Sequence, residues 1–231
     1  MINVNGVSYS GSGSVSIING QVFINGKAAG AGSGSTVEGD GKAAEESRGF
    51  QDHFTRVQAS GIEGLEIKCG SAEEKVQLKG DSNILPLIET RVEDGVLHIQ
   101  PKEGESFSTK QPIQVTLFMD GLEHLELSGA VHSDVSGVKS ERLGLELSGA
   151  SRVRLEGAAQ RLDLDMSGAS AVSAMGLMAD EVRAEMSGAS KALVSAEKSL
   201  RVDGSGASAV TYRGNPTVKQ DLSGAAQLGR A

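Results

Sequence analysis

The sequence predicts an all-β fold: a single-stranded parallel β-helix (β-solenoid) with rungs of about 18–20 residues, preceded by a small N-terminal β-hairpin arm. Three observations carry this. Ser-Gly-Ala occurs six times, beginning at Ser128, Ser148, Ser167, Ser187, Ser205 and Ser223, at intervals of 20, 19, 20, 18 and 18 residues. Between the copies, apolar and polar residues alternate in short runs with the period of two that marks half-buried strands, and no stretch longer than a turn or two carries helical periodicity. The composition suits tight stacked turns better than a core of large rings, with 31 Gly against 4 Pro, 5 Phe, 2 Tyr and no Trp.

Residues 1–26 read as the hairpin arm. Residues 2–9 alternate as a short strand. Val15 to Ile18 and Gln21 to Ile24 flank Asn19-Gly20, a pair that tolerates the positive φ values of a type I′ turn. Residues 27–47, centred on Gly30-Ala-Gly-Ser-Gly-Ser35, read as a flexible tether. Its glycines lack the GK[ST] ending and the apolar helix of a phosphate-binding loop. Residues 48–231 form the solenoid, with irregular coils over 50–121 and regular repeats over 122–228. In the irregular part Leu65, Ile67 and Cys69, then Val76 and Leu78, then Val96 to Ile99 and Ile113 to Leu117 keep the strand alternation. The single cysteine, Cys69, excludes an internal disulfide and reads as a buried strand thiol.

One rung can be followed from Leu143. Leu143, Leu145 and Leu147 point inward, Ser148-Gly149 turns the chain, and Ser151, Val153 and Leu155 resume the alternation. Gly157 to Gln160 is expected as a second corner, so that each rung carries two short strands stacked on their neighbours about 4.8 Å away. Glycine allows the sharp bend at Gly129, Gly149, Gly168, Gly188, Gly206 and Gly224 and lets successive corners nest without a Cβ. The serines after four of the corners, Ser151, Ser170, Ser190 and Ser208, fall on the inward phase and are expected to form a buried hydroxyl ladder. Six near-identical corners with no shared histidine are structural turns, and no catalytic serine is expected.

Stacking converts sequence positions into surface columns. Two residues before each Ser-Gly-Ala stand Glu126, Glu146, Asp165, Glu185, Asp203 and Asp221, all acidic and all on the outward phase. Like charges ~5 Å apart repel by roughly 1 kcal/mol even in water. Two positions earlier come His124, Gly144, Asp163, Arg183, Arg201 and Lys219, which supply a base in the last three rungs only. Glu126, Glu146, Asp163 and Asp165 are therefore expected to form an uncompensated acidic patch, a weak candidate for a divalent cation. Strand-borne carboxylates on a flat face seldom converge as the six or more ligands that Ca²⁺ takes, and a solvated face is the stronger reading. His124 and His132 flank a turn and lack ligand spacing.

The net charge of −8 argues against nucleic acid and anionic membranes. No segment approaches the ~20 apolar residues of a membrane helix. Residues 1–6, Met-Ile-Asn-Val-Asn-Gly, show neither the basic start nor the apolar run of a signal peptide. As written the chain is expected to be cytoplasmic, or exported and at the cell surface if it is a trimmed mature form.

The order Phe54-Thr-Arg-Val57, Gly64-Leu-Glu-Ile-Lys68, Gly80-Asp-Ser-Asn83, Val92-Glu-Asp-Gly-Val-Leu-His-Ile99 and then repeated Leu-Glu-Leu-Ser-Gly-Ala-Ser resembles the bacterial DUF2807 family, also called the auto-transporter adhesin head or GIN domain. The resemblance spans about 50–228. It implies a β-helix-like fold and an exported or surface role, and it brings no catalytic residues. The expected function is a non-enzymatic solenoid presenting a rigid surface for adhesion or protein–protein interaction, with no cofactor. One alternative is self-assembly into head-to-tail oligomers or filaments through the solenoid ends and the arm. The other is a cation- or polysaccharide-binding module.

Overall fold

The computed structural model of the chain describes residues 36–231 in full and, within residues 1–35, the backbone of five short strands alone. Two units, 1–36 and 37–231, separate by their contacts. In the first, β1 (Ile2–Val4) pairs antiparallel with β2 (Val7–Tyr9), so the run 2–9 is two strands rather than one. β3 (Val15–Ile18), β4 (Gln21–Ile24) and β5 (Lys27–Ala29) form a three-stranded antiparallel sheet in which Val15 faces Ile24 and Ile18 faces Gln21. The Asn19-Gly20 turn and the Gly30–Ser35 centre of the expected tether lie outside the described residues.

The second unit begins with β6 (Val37–Glu38) and β7 (Ala43–Gly49), followed by β8 (Arg56–Ser60), β9 (Gly64–Cys69) and β10 (Lys75–Asp81). A single 3-10 turn at Leu85–Leu87 then leads into β11 (Ile88–Glu93) and β12 (Val96–Pro101). β13 (Phe107–Ser108), β14 (Gln114–Met119) and β15 (His124–Ser128) complete the irregular part. Four long strands carry the repeats: β16 (His132–Leu147), β17 (Arg152–Met166), β18 (Ala171–Met186) and β19 (Lys191–Gly204). The chain closes with β20 (Ala209–Arg213), β21 (Thr217–Leu222) and β22 (Gln227–Arg230).

Residues 43–47, expected in the tether, belong to β7, which pairs antiparallel with β10 along its whole length. Composition hid this, because the alternation there is carried by charges. Arg48 holds the strand in place by donating to the Ile88 and Leu85 carbonyls at 2.7 and 3.0 Å.

Each Ser-Gly-Ala corner divides a rung into a half that leads into it and a half that trails it. The leading halves stack as a parallel sheet through β12, β8, β15, residues 142–147, 161–166, 181–186 and 199–204, and β21. The trailing halves stack through β14, β9, residues 132–136, 152–155, 171–174 and 191–195, β20 and β22. Spatial order departs from chain order at the start. β8 and β9 make one complete rung, and β12 and β14 then dock on its far side before β15 begins the next rung on its near side. Ser60-Gly61-Ile62 is the corner of that first rung, with Ser60 in register with Ser128 and Gly61 at φ +65°.

The second corner expected at Gly157–Gln160 is a bend inside a continuous strand, with its irregularity just before Gly157. β16, β17 and β18 run through the bend with their pairing intact except for register shifts between Val135 and Val138, Arg154 and Glu156, Ala174 and Ala179, and Ala179 and Glu181. A bulge adds a residue on one strand, which bends the sheet while most backbone groups keep their partners. The inward columns are closely packed. Leu125, Leu145, Leu164, Ala184 and Val202 lie in one register line, each buried to within 2 %.

The inward serines differ from the ladder expected of them. Ser151, Ser170 and Ser190 are buried, but each hydroxyl donates to the carbonyl three residues earlier in its own corner, at 3.1, 3.0 and 3.0 Å. The contact from rung to rung comes from the corner serines, such as Ser167 Oγ to the Leu147 carbonyl at 3.4 Å. The corners themselves are stitched by backbone bonds, Ala169 N–H to the Gly149 carbonyl at 2.7 Å and its equivalents. No helix among the described residues is long and apolar enough to cross a membrane.

Candidate functional site

On the leading face the register places Glu126, Glu146, Asp165, Glu185, Asp203 and Asp221 in a single column, next to Gln58 of the first rung. The neighbouring column runs Arg56, His124, Gly144, Asp163, Arg183, Arg201 and Lys219. A third column contributes Arg142, Arg161 and Glu181. The strands hold these side chains by alternation alone: the inward neighbours are locked in the core, so the outward residues project to one side at rung spacing.

Ion pairs then brace the columns. Arg201 Nε lies 3.0 Å from Asp203, and Arg183 pairs with Glu185 in the same way two residues along its strand. The carboxylate beside Arg201 holds its guanidinium above the ordinary arginine range. The first three rungs are not the bare acidic patch that two columns alone suggest. Arg142 and Arg161 both reach Asp163, each at 2.8 Å, from the third column. Gln58 donates to Glu126 at 3.0 Å, and the His124 ring lies 3.6 Å from Glu146. Gly144 makes room for that ring, since a Cβ there would stand 2.6 Å from His124 Nδ1.

Glu126, Glu146, Asp163 and Asp165 therefore do not converge on a point. Asp163 is neutralised by two arginines, and among the described residues no three His, Cys, Asp or Glu side chains are grouped as a metal would require. The arrangement can do something else. Alternating fixed charges line an open groove of about 1080 Å³ that runs from the 120–123 loop past Arg142, Arg161 and Asp163 to Arg183 and Glu185. Such a surface offers guanidinium forks and carboxylates in a set pattern, which rewards a partner of complementary pattern more than one of opposite net charge. The corner serines Ser128, Ser148, Ser167, Ser187, Ser205 and Ser223 stand at the turn edge with no histidine hydrogen-bonded to them.

One further feature escaped the sequence. Asp81 is fully buried and accepts N–H bonds from Gly41, Lys110 and Gln111 at 2.8, 2.7 and 3.1 Å, tying three segments of the N-terminal end together. Burial alone would raise its carboxyl, but the three N–H donors outweigh burial and hold it below the usual range. Cys69, expected as a buried strand thiol, is half-buried at the end of β9, where burial and then Asp120 push the thiol up to about 11.

Comparison with solved structures fits this architecture. A structure described as a putative adhesin from Bacteroides fragilis superposes with a TM-score of 0.69 at 18% identity, over 84% of this chain and 100% of its own. One described as a putative lipid binding protein from Parabacteroides distasonis gives 0.56 at 15% identity over 85% and 99%. A putative adhesin from Parabacteroides merdae gives 0.54 at 17% over 85% and 99%. At these identities the likeness is one of fold. No curated protein sequence matches the chain. The family model DUF2807, "Putative auto-transporter adhesin, head GIN domain", matches residues 53–216, and the chain belongs to that family.

Proposed function

We propose that this chain is a non-enzymatic β-solenoid at the cell surface that presents its leading face as a rigid platform for adhesion or protein–protein interaction. The observation that carries the reading is the cross-braced lattice. Six acids stand in one register column, and arginines held by ion pairs at 2.8–3.0 Å fix the pattern around Asp163 and Asp203. Each exposed pair contributes only ~0–1 kcal/mol to stability. Their value lies in holding long side chains in place before a partner arrives, which lowers the ordering cost of binding. Nothing in the corners supplies a base for a nucleophile, and the family's description is of an adhesin.

The test is retention under flow. Beads coated with the full chain are passed over collagen-coated, fibronectin-coated and bare surfaces at low salt and at about 0.5 M salt, where charges are screened within a few ångströms. The same is done with an Arg161→Glu/Arg183→Glu variant whose fold is checked by circular dichroism. Selective retention on one coated surface, reduced several-fold by the variant and by salt, supports the proposal. Equal retention of both proteins on every surface contradicts it.

Self-association is a second reading. Among the described residues β7 and β11 pair on one side only, which leaves strand edges of the kind that recruit another chain. Light scattering on the full chain over a range of concentrations decides it: a monomer throughout ends this reading.

A further inference from the structure

The trailing face differs in kind from the leading one. Its outward columns run His132, Arg152, Ala171, Lys191, Ala209 and Asp134, Arg154, Ser173, Leu193, Thr211. At the rung of Ala171 and Ser173 the face drops to small side chains between long ones on either side. The result is a cleft of about 420 Å³ with Ala171 and Ser173 at its base, Arg152 and Arg154 on one flank and Lys191 and Leu193 on the other. The flanks stand two rungs apart, about 10 Å between strand axes. The volume falls in the range of small-ligand sites, ~300–1,000 Å³.

The charges in this cleft are only partly spent. Arg154 is paired with Glu156 at 2.9 Å. Arg152 instead donates to His132 Nε2 at 2.9 Å, a contact that accepts a hydrogen bond but cancels no charge. Lys191 has no acidic partner among the described residues. Arg152 and Lys191 are thus two uncancelled cations facing each other across Ala171, in a chain whose net charge is −8. Beside them Leu193, 41% exposed and in register with Ser173, turns an apolar side chain to solvent, with Arg154 on the other side of Ser173. Asp134 supplies an acceptor at the rim.

We propose that this cleft binds a saccharide unit bearing a carboxylate or sulfate, with the anion over Ala171 between Arg152 and Lys191. The ring's C–H face lies against Leu193, and its hydroxyls meet Ser173 and Asp134. An acidic peptide fits the cleft less well. The face of a sheet offers no free backbone groups for strand addition, which occurs at edges, and the Asp134 carboxylate faces the ligand. A neutral sugar would leave the two cations unused. The site is independent of the leading face, so each proposal can fail alone.

Isothermal titration of the full chain tests it with four probes: tetragalacturonate, a heparin-derived tetrasaccharide, cellotetraose and hexaglutamate. The expected result is binding of one or both anionic saccharides, with carboxylate and sulfate told apart by which is tighter, and no heat from cellotetraose. Arg152→Gln/Lys191→Gln should weaken binding at least tenfold. Ser173→Tyr, which fills the base at a half-exposed strand position, should abolish it in a protein with unchanged circular dichroism. The Arg161→Glu/Arg183→Glu variant should bind as the parent does. No heat from either anionic saccharide at millimolar concentration overturns the proposal. So does hexaglutamate binding as tightly as the saccharides, or a Ser173→Tyr protein that binds unchanged.

Discussion

Replacing Gly168 by alanine separates two costs that the corner glycines bear. Gly168 has φ +71°, where an L-residue is strained by roughly 1–2 kcal/mol. An added Cβ would also stand 2.5 Å from the Gly149 carbonyl oxygen of the rung below. That same oxygen accepts the 2.7 Å ladder bond from Ala169, so relieving the clash stretches the bond that stitches the corners. Losing it costs about 1 kcal/mol. The sum for Gly168→Ala is about 2–3 kcal/mol. Gly129 provides the control: it has φ +92° in the same motif, but a Cβ there meets no atom within 4 Å. Gly129→Ala should lose only the backbone part, ~1–2 kcal/mol, partly offset by a stiffer unfolded chain. Urea unfolding of both variants, compared by midpoint at constant slope, gives the difference. Equal destabilisation by the two substitutions would refute the nesting argument and leave φ as the whole requirement.

Ser133 occupies an inward position in register with Leu65 and Val153, is 4% exposed, and its hydroxyl has no partner among the described residues. Ser133→Val should stabilise by about 1 kcal/mol, or ~2–4 °C in Tm, and an unchanged or lower Tm would show the hydroxyl to be satisfied. Asp81→Asn should destabilise the N-terminal end. Because the folded carboxyl is held below its unfolded value, its contribution is present above about pH 4 and fades as pH falls through the folded value. The gap in urea midpoint between Asp81→Asn and the parent should therefore narrow below about pH 4, and a constant gap contradicts the assignment. Cys69, with its thiol raised to about 11, should resist iodoacetamide at neutral pH and react only as the pH approaches that value or after unfolding. Rapid labelling at neutral pH would contradict its burial.

What could be read from the sequence tracks how locally each feature is encoded. The regular rungs were legible because Ser-Gly-Ala and its alternating flanks repeat the same local requirement at each corner. The first rung was not. Its corner is Ser60-Gly61-Ile62, without the alanine, and its strands β8 and β9 stack beside β15 and β16, with Arg56 in register with His124 and Gly64 with His132, far along the chain. The bends in β16 to β18 carry a glycine nine residues after each corner serine, at Gly137, Gly157 and Gly176. That the strand stays paired through the bend is set by partners on other rungs, which alternation alone does not show. The acidic column was readable from one position per rung. Its neutralisation at Asp163 was not, because Arg142 approaches from the neighbouring rung and Arg161 from a third column. Asp81 depends on three N–H donors from segments 29 to 40 residues away, which no local pattern announces.

The central claim is that surface adhesion resides in the fixed charge columns of the leading face, and that the repeated serines serve only the turn. Retention under flow of two variants beside the parent tests it most directly. Ser148→Ala/Ser187→Ala should be retained on the coated surface as the parent is. Arg161→Glu/Arg183→Glu should lose most of its retention while keeping its circular dichroism. The reverse result, adhesion lost with the serines and kept without the arginines, would contradict the account.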